Sequence, residues 1–132
     1  MRKLLIFLLS TMILAACSGV ADGPVQVEII SLDHAPIRST AAEALAVATT
    51  YGDKVTVLTY NFDTPEGAAF AEEKGLTEHT PIAIFVNGEM SFDVNGRSVT
   101  FFSFPQGEGT GMVAEGAWTI ADLRTVLDQE TN

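Results

Sequence analysis

Cysteine is nearly missing from the 132 residues: Cys17 is the only one. A lone cysteine closes no disulfide within the chain and supplies no Cys-x-x-Cys pair. Dithiol redox chemistry by this chain alone is therefore excluded. Positive charge is also scarce. Seven Lys and Arg face 17 Asp and Glu, for a net charge of −10. Nucleic acid and anionic lipid surfaces are poor partners for such a chain. Histidine occurs only as His34 and His79, with no His-x-x-His spacing, so no metal signature is present and no cofactor is implied. No apolar run reaches the ~20 residues that cross a bilayer. The series Gly107-x-Gly109-x-Gly111 lacks the Lys-Ser/Thr and the strand-to-helix context of a phosphate cradle. Glu108 and Glu115 beside it would repel phosphate.

What is present begins with a basic start, Arg2-Lys3, and an apolar stretch from Leu4 to Ala16 broken only by Ser10-Thr11. That is the layout of a signal peptide over residues 1–16. Leu14-Ala15-Ala16-Cys17 resembles the bacterial lipobox. The resemblance implies that Cys17 receives a diacylglyceryl thioether, is freed by cleavage, and is acylated on its new amino group. At ~0.8 kcal/mol per buried CH₂, two or three acyl chains anchor a protein to the membrane durably. The expectation is a lipid-anchored protein of the bacterial cell envelope, facing the periplasm or the exterior. Ser18 stands where an Asp would signal retention in the inner membrane, which is compatible with an outer-membrane destination. Loss of Arg2 and Lys3 leaves five basic residues against 17 acidic ones, a balance near −12. Residues 17–24 then form the lipidated cysteine and a tether, and residues 25–132 form one domain.

The organising stretch of that domain is Thr80-Pro81-Ile82-Ala83-Ile84-Phe85-Val86-Asn87-Gly88. Five apolar residues in a row predict a strand buried on both faces. Asn-Gly accepts positive φ at both centres of a type I′ turn, which predicts a hairpin with Glu89–Val94 as the partner. Upstream, Val25–Leu32 alternates as a strand. A helix follows that starts within 33–36 and runs to Tyr51, with Ile37, Ala41, Ala44, Leu45, Ala48 and Tyr51 on its apolar face. Val55–Phe62 is β-branched and aromatic, a second strand. Thr64-Pro65-Glu66 is a helix start, and Gly75 ends that helix. Downstream, Asn95-Gly96 predicts another reversal into Arg97–Phe104. A glycine-rich loop of residues 105–116 follows, and then a last helix with Thr119 and Asp122 as a capping box and Ile120, Leu123, Val126 and Leu127 facing the core.

The order β-α-β-α-β-β-α predicts an α/β domain with a mixed central sheet and an extra hairpin and loop before the last helix. Three features make it resemble the thioredoxin fold: the first strand leading into a helix with a first-turn proline, the Tyr51-Gly52-Asp53-Lys54-Val55 junction, and Gly75–Pro81 followed by Phe85-Val86-Asn87-Gly88-Glu89. The resemblance covers about Val25 to Asp128. It implies that Pro81 is the family's cis-proline, lying against the start of helix one. Ala35-Pro36-Ile37-Arg38 occupies the position of the redox Cys-x-x-Cys, so both cysteines are missing and the family's usual activity is not expected. Residues 97–116 are an insertion relative to the minimal fold.

The resemblance brings His34, Ala35, Pro36, Ile37, Arg38, His79, Thr80 and Pro81 together as a groove. A groove of that kind binds a protein or peptide by strand addition. The expected role is therefore a redox-inactive, non-catalytic binding module. The alternative is a metal-binding protein or thiol-independent enzyme that uses His34 and His79 in the same groove. Ser39 and Thr40 in the first turn of the helix offer hydroxyls but no Ser-His-Asp order. Val99–Phe104, an uncharged run with three aromatics, is expected to pack one face on the core. If it forms the sheet edge, homodimerisation or client docking would use it.

Overall fold

The computed structural model describes residues 23–77, 80–107 and 116–132. The signal-peptide and Cys17 assignments lie outside the described residues. Five strands form: β1 (Val25–Ser31), β2 (Val55–Asn61), β3 (Ile82–Val86), β4 (Ser91–Val94) and β5 (Arg97–Thr100). Three α-helices accompany them: α1 (Ile37–Thr49), α2 (Pro65–Glu73) and α3 (Ile120–Glu130). The class is mixed α/β. A three-stranded sheet has the order β2-β1-β3, with β1 parallel to β2 and antiparallel to β3.

The period-2 geometry of the strands divides the core in two. Val25, Val27 and Ile29 of β1 and Ile82, Ile84 and Val86 of β3 point to one face. There they pack with Ala44, Val47 and Ala48 of α1 and Leu123, Val126 and Leu127 of α3. Ile30, Ala83 and Phe85 point to the other face, under Phe70 and Ala71 of α2. All five residues of β3 are buried, because helices cover both sides. Phe70 stacks on Tyr60 at 4.0 Å and meets Phe85 edge-on at 5.7 Å.

Glu28 shares the α2 face yet is only 8 % exposed. Burying a carboxylate is costly unless it is paired. Here Lys74 approaches it at 3.3 Å and Gln26 donates to it at 3.2 Å. The ammonium of Lys74 also lies 5.2 and 5.1 Å from the rings of Phe70 and Phe85.

The helix starts and turns form as their residues dictate. Thr64 accepts from the Gly67 amide at 3.1 Å with Pro65 beside it at N1. Thr119 and Asp122 close a reciprocal capping box on α3. Asn87-Gly88 and Asn95-Gly96 both take positive φ at both positions, as type I′ turns require.

Four expectations are corrected. The partner of β3 is not Glu89–Val94. Only Glu89 pairs with it, through Val86, and β4 pairs with β5 as a separate two-stranded sheet. The neighbour of β3 is instead the 101–103 segment: Ile84 donates to the Phe101 carbonyl at 3.0 Å and Ser103 to the Ile82 carbonyl at 2.9 Å. The reason is burial. Leaving the plane of the sheet puts Val94 and Val99 into the core at 3 % and 0 % exposure, near α3. Accordingly the predicted strand 97–104 ends at Thr100.

Helix α1 starts at Ile37, after an N-cap Pro36 without a side-chain cap, rather than within 33–36. Its buried stripe is Ile37, Thr40, Ala44, Val47 and Ala48, while Leu45 is 36 % exposed. Periodicity alone does not fix which of several adjacent helical stripes faces the core. Finally, among the described residues the cis peptide bond joins Ala35 and Pro36, not Thr80 and Pro81. A tertiary amide lowers the trans preference at either proline, so sequence could not choose between them.

Candidate functional site

Strands β1 and β2 run parallel, so both release their chains at the same end of the sheet. In open α/β sheets the carboxyl ends of strands are where crevices form. Two depressions lie there, with Leu32 common to both. The larger has a volume of about 660 Å³, within the usual range for a ligand pocket. Leu32, Phe62, Ala68, Ala71 and Leu76 give it an apolar lining, and His34, Asp63 and Glu72 give it polar groups. The smaller, about 270 Å³, lies between the start of α1 and the end of β2 and includes Arg38, Thr59, Tyr60 and Asn61.

Local hydrogen bonding shapes this end. Asn61 accepts on its side chain from the Asp63 amide at 2.9 Å, and its carbonyl accepts from the Thr64 amide at 3.1 Å and hydroxyl at 2.9 Å. These bonds turn the chain sharply from β2 into α2 and hold Phe62 and Asp63 over the cleft. Arg38 reaches back to Asp33, with Nε 2.8 Å from Oδ1 and a second bond to the Asp33 carbonyl at 3.2 Å. Both side chains of this pair are more than half exposed. Its main effect is to fix the 33–38 turn, because exposed pairs add little stability.

The predicted groove residues divide by depth. His34, Ala35, Pro36 and Arg38 are exposed, with His34 lining the larger depression and Arg38 the smaller. Ile37 is 3 % exposed and Thr80 1 %, and Pro81 is also buried. The Pro81 carbonyl accepts from the Leu32 amide at 3.1 Å, which brings the Thr80–Pro81 segment beside the end of β1. His79 lies outside the described residues, and so does any contact between it and His34. Among the described residues no three His, Cys, Asp or Glu side chains gather as a metal set. Ser39 donates to the Pro36 carbonyl at 2.6 Å, and Thr40 is buried. Most of the 105–116 loop, including Gly109 and Gly111, lies outside the described residues.

Sequence reasoning missed Phe62, Asp63, Ala68, Ala71, Glu72 and Leu76 as cleft residues. Their signal was weak: Phe62 beside Asp63 at a strand end reads as an ordinary turn, and the outer side of α2 reads as a solvated face. Elsewhere, the Asp122 carboxyl is held by Arg97 and by Thr119. Burial pushes its pKa up, but hydrogen bonds from Arg97 at 2.7 Å and from the Thr119 hydroxyl and amide outweigh that, so the net shift is downward. The Tyr51 phenol is pushed up to about 12 by burial and by its hydrogen bond to Asp128 at 2.8 Å. Both groups tie α3 to the rest of the domain and lie apart from the residues that line the cleft. Comparison with known proteins adds no relative: no family model, curated protein or solved structure matches the chain.

Proposed function

We propose that the chain is a lipid-anchored protein of the bacterial cell envelope whose thioredoxin-like, redox-inactive domain binds a protein or peptide partner without catalysis. The thioredoxin-like reading is supported by the βαβ unit, the antiparallel third strand, and α1 and α3 on one face with α2 on the other. The anchor reading rests on Cys17 and the residues before it. The single observation that carries the binding role is the open cleft at the carboxyl ends of β1 and β2. Its apolar lining and its Asp63 and Glu72 carboxylates suit an apolar segment with a basic residue beside it.

The test is photo-crosslinking from His34, an exposed cleft residue, with the full chain in its native envelope. One recurrent protein crosslinked from His34 and lost on Ala68→Arg supports the proposal. Crosslinks to lipid alone overturn it. Zinc titration of the same chain in detergent tests the alternative use of the histidines: stoichiometric binding lost in both His34→Ala and His79→Ala would replace the peptide reading.

A further inference from the structure

We infer that the outer edge of β2 is a second docking site, which takes an extended protein segment with basic flanks as an added strand. The inference goes beyond the cleft and uses the backbone edge of β2, although Asp63 borders both.

The phase of the β2 backbone follows from its bonds. Phe62 donates to the Ser31 carbonyl at 3.1 Å, so the even-numbered residues of β2 turn their amides and carbonyls toward β1. The far side of β1 agrees, because Gln26 and Leu32 bond across to Asn87 and Pro81. Val57 and Thr59 therefore turn their backbone groups outward. Among the described residues nothing pairs with them.

Natural edge strands are usually blunted by Lys, Pro, a bulge or a covering element. Among the described residues β2 has none of these. Its seven residues, VTVLTYN, pair with β1 in unbroken register and contain no charge, proline or glycine. Thr56 and Thr59 are exposed, and Leu58 is 40 % exposed. That gives an incoming strand both polar and apolar side-chain contacts.

Charge selects the occupant. The uncharged strand is bracketed by exposed acids, Asp53 before it and Asp63 and Glu66 after it. The cations nearby are both engaged: Lys54 is bonded to the Thr131 carbonyl at 3.3 Å, and Arg38, which shares the smaller depression with Thr59, is paired with Asp33 at 2.8 Å. A second copy pairing antiparallel about Leu58 would bring Asp53 against Asp63 of the other molecule. Like charges placed opposite one another destabilise, and each chain carries net −10. A segment whose uncharged centre is flanked by lysines or arginines meets both acidic ends favourably.

The probe is a short peptide of alternating threonine and valine between paired lysines, added to the full chain in detergent. The Val57 and Thr59 amides should exchange rapidly in the free protein and at least about tenfold more slowly with peptide, while Leu58 and Tyr60 stay unchanged. N-methylating the peptide amides that face β2 should weaken binding about tenfold or more, and methylating the alternate set should not. Thr59→Pro should do the same from the protein side, because the lost amide points away from β1. Equal binding by both methylated peptides, or by a glutamate-flanked peptide, overturns the inference. So does a dimer in sedimentation that Thr59→Pro abolishes, which would assign the edge to a second copy.

Discussion

Replacing a helical glycine with alanine normally stabilises a protein by up to ~1 kcal/mol, because glycine loses more backbone freedom on folding. Gly67→Ala should do the opposite here. Gly67 is the third residue of α2 and sits directly over the turn that leaves β2. A Cβ on it would lie 1.8 Å from the Asn61 carbonyl oxygen and 2.5 Å from its carbon, where ordinary contact begins near 3.4 Å. Both atoms are backbone, so no side chain can swing aside. Moving the carbonyl away gives up the two bonds it accepts from Thr64, at about 1 kcal/mol each. Lifting α2 instead opens the Tyr60–Phe70 stack and the small core beneath it. Overpacking of this kind costs roughly 1–3 kcal/mol. After the alanine propensity gain, a net loss of about 1 kcal/mol is expected, or roughly 5 °C in Tm for a domain of this size. Urea unfolding of the full chain in detergent measures it, with Ala68→Gly at the exposed neighbour as a control that should lose ~1 kcal/mol. A Gly67→Ala protein as stable as the parent would refute the close approach of α2 to the turn, and with it the shape of the cleft wall.

Asp122→Ala removes the capping box and leaves Arg97 without its carboxylate, so a loss of about 2 kcal/mol is expected in denaturant unfolding near neutral pH. The Asp122 pKa is lowered in the folded state, so its contribution is present above the unfolded value of 3.8 and is lost as pH falls through the folded one. The stability gap between parent and Asp122→Asn should therefore narrow only below about pH 4. Tyr51 has the opposite sign. Its folded pKa is raised from 10.0 to about 12, so its contribution is full below pH 10 and lost between there and 12. Phenolate absorbance should show that late titration, and Tyr51→Phe should cost about 1 kcal/mol through the bonds to Arg124 and Asp128. Thr64→Ala should cost ~1 kcal/mol by uncapping α2, read as a lower urea midpoint. Cys17→Ser should abolish incorporation of labelled palmitate in cells, and retained label would overturn the anchor reading.

Local chemistry was legible wherever a residue's own geometry limits its options. Asn87-Gly88 and Asn95-Gly96 had to turn, Thr64-Pro65 and Thr119-x-x-Asp122 had to start helices, and the five apolar residues of β3 had to be covered on both sides. Those choices depend on positive φ, a missing amide, an orphan helix donor and apolar area, each carried by a few consecutive residues. Site residues were legible only in part. His34 was found because it lies in the segment that links β1 to α1. Phe62, Asp63 and Glu72 were not, because their meeting depends on how tightly Asn61 turns the chain under Gly67. Tertiary structure alone decided several further points: that β4 leaves β3 and keeps only the partner its Asn95-Gly96 turn supplies, that Phe101–Ser103 takes the place beside β3, and that Glu28 is buried beneath Lys74. Burial of Val94, Val99, Phe101 and Trp118 by segments distant in sequence accompanies the first two, and the packing of α2 over β1, which brings Lys74 to Glu28, accompanies the third.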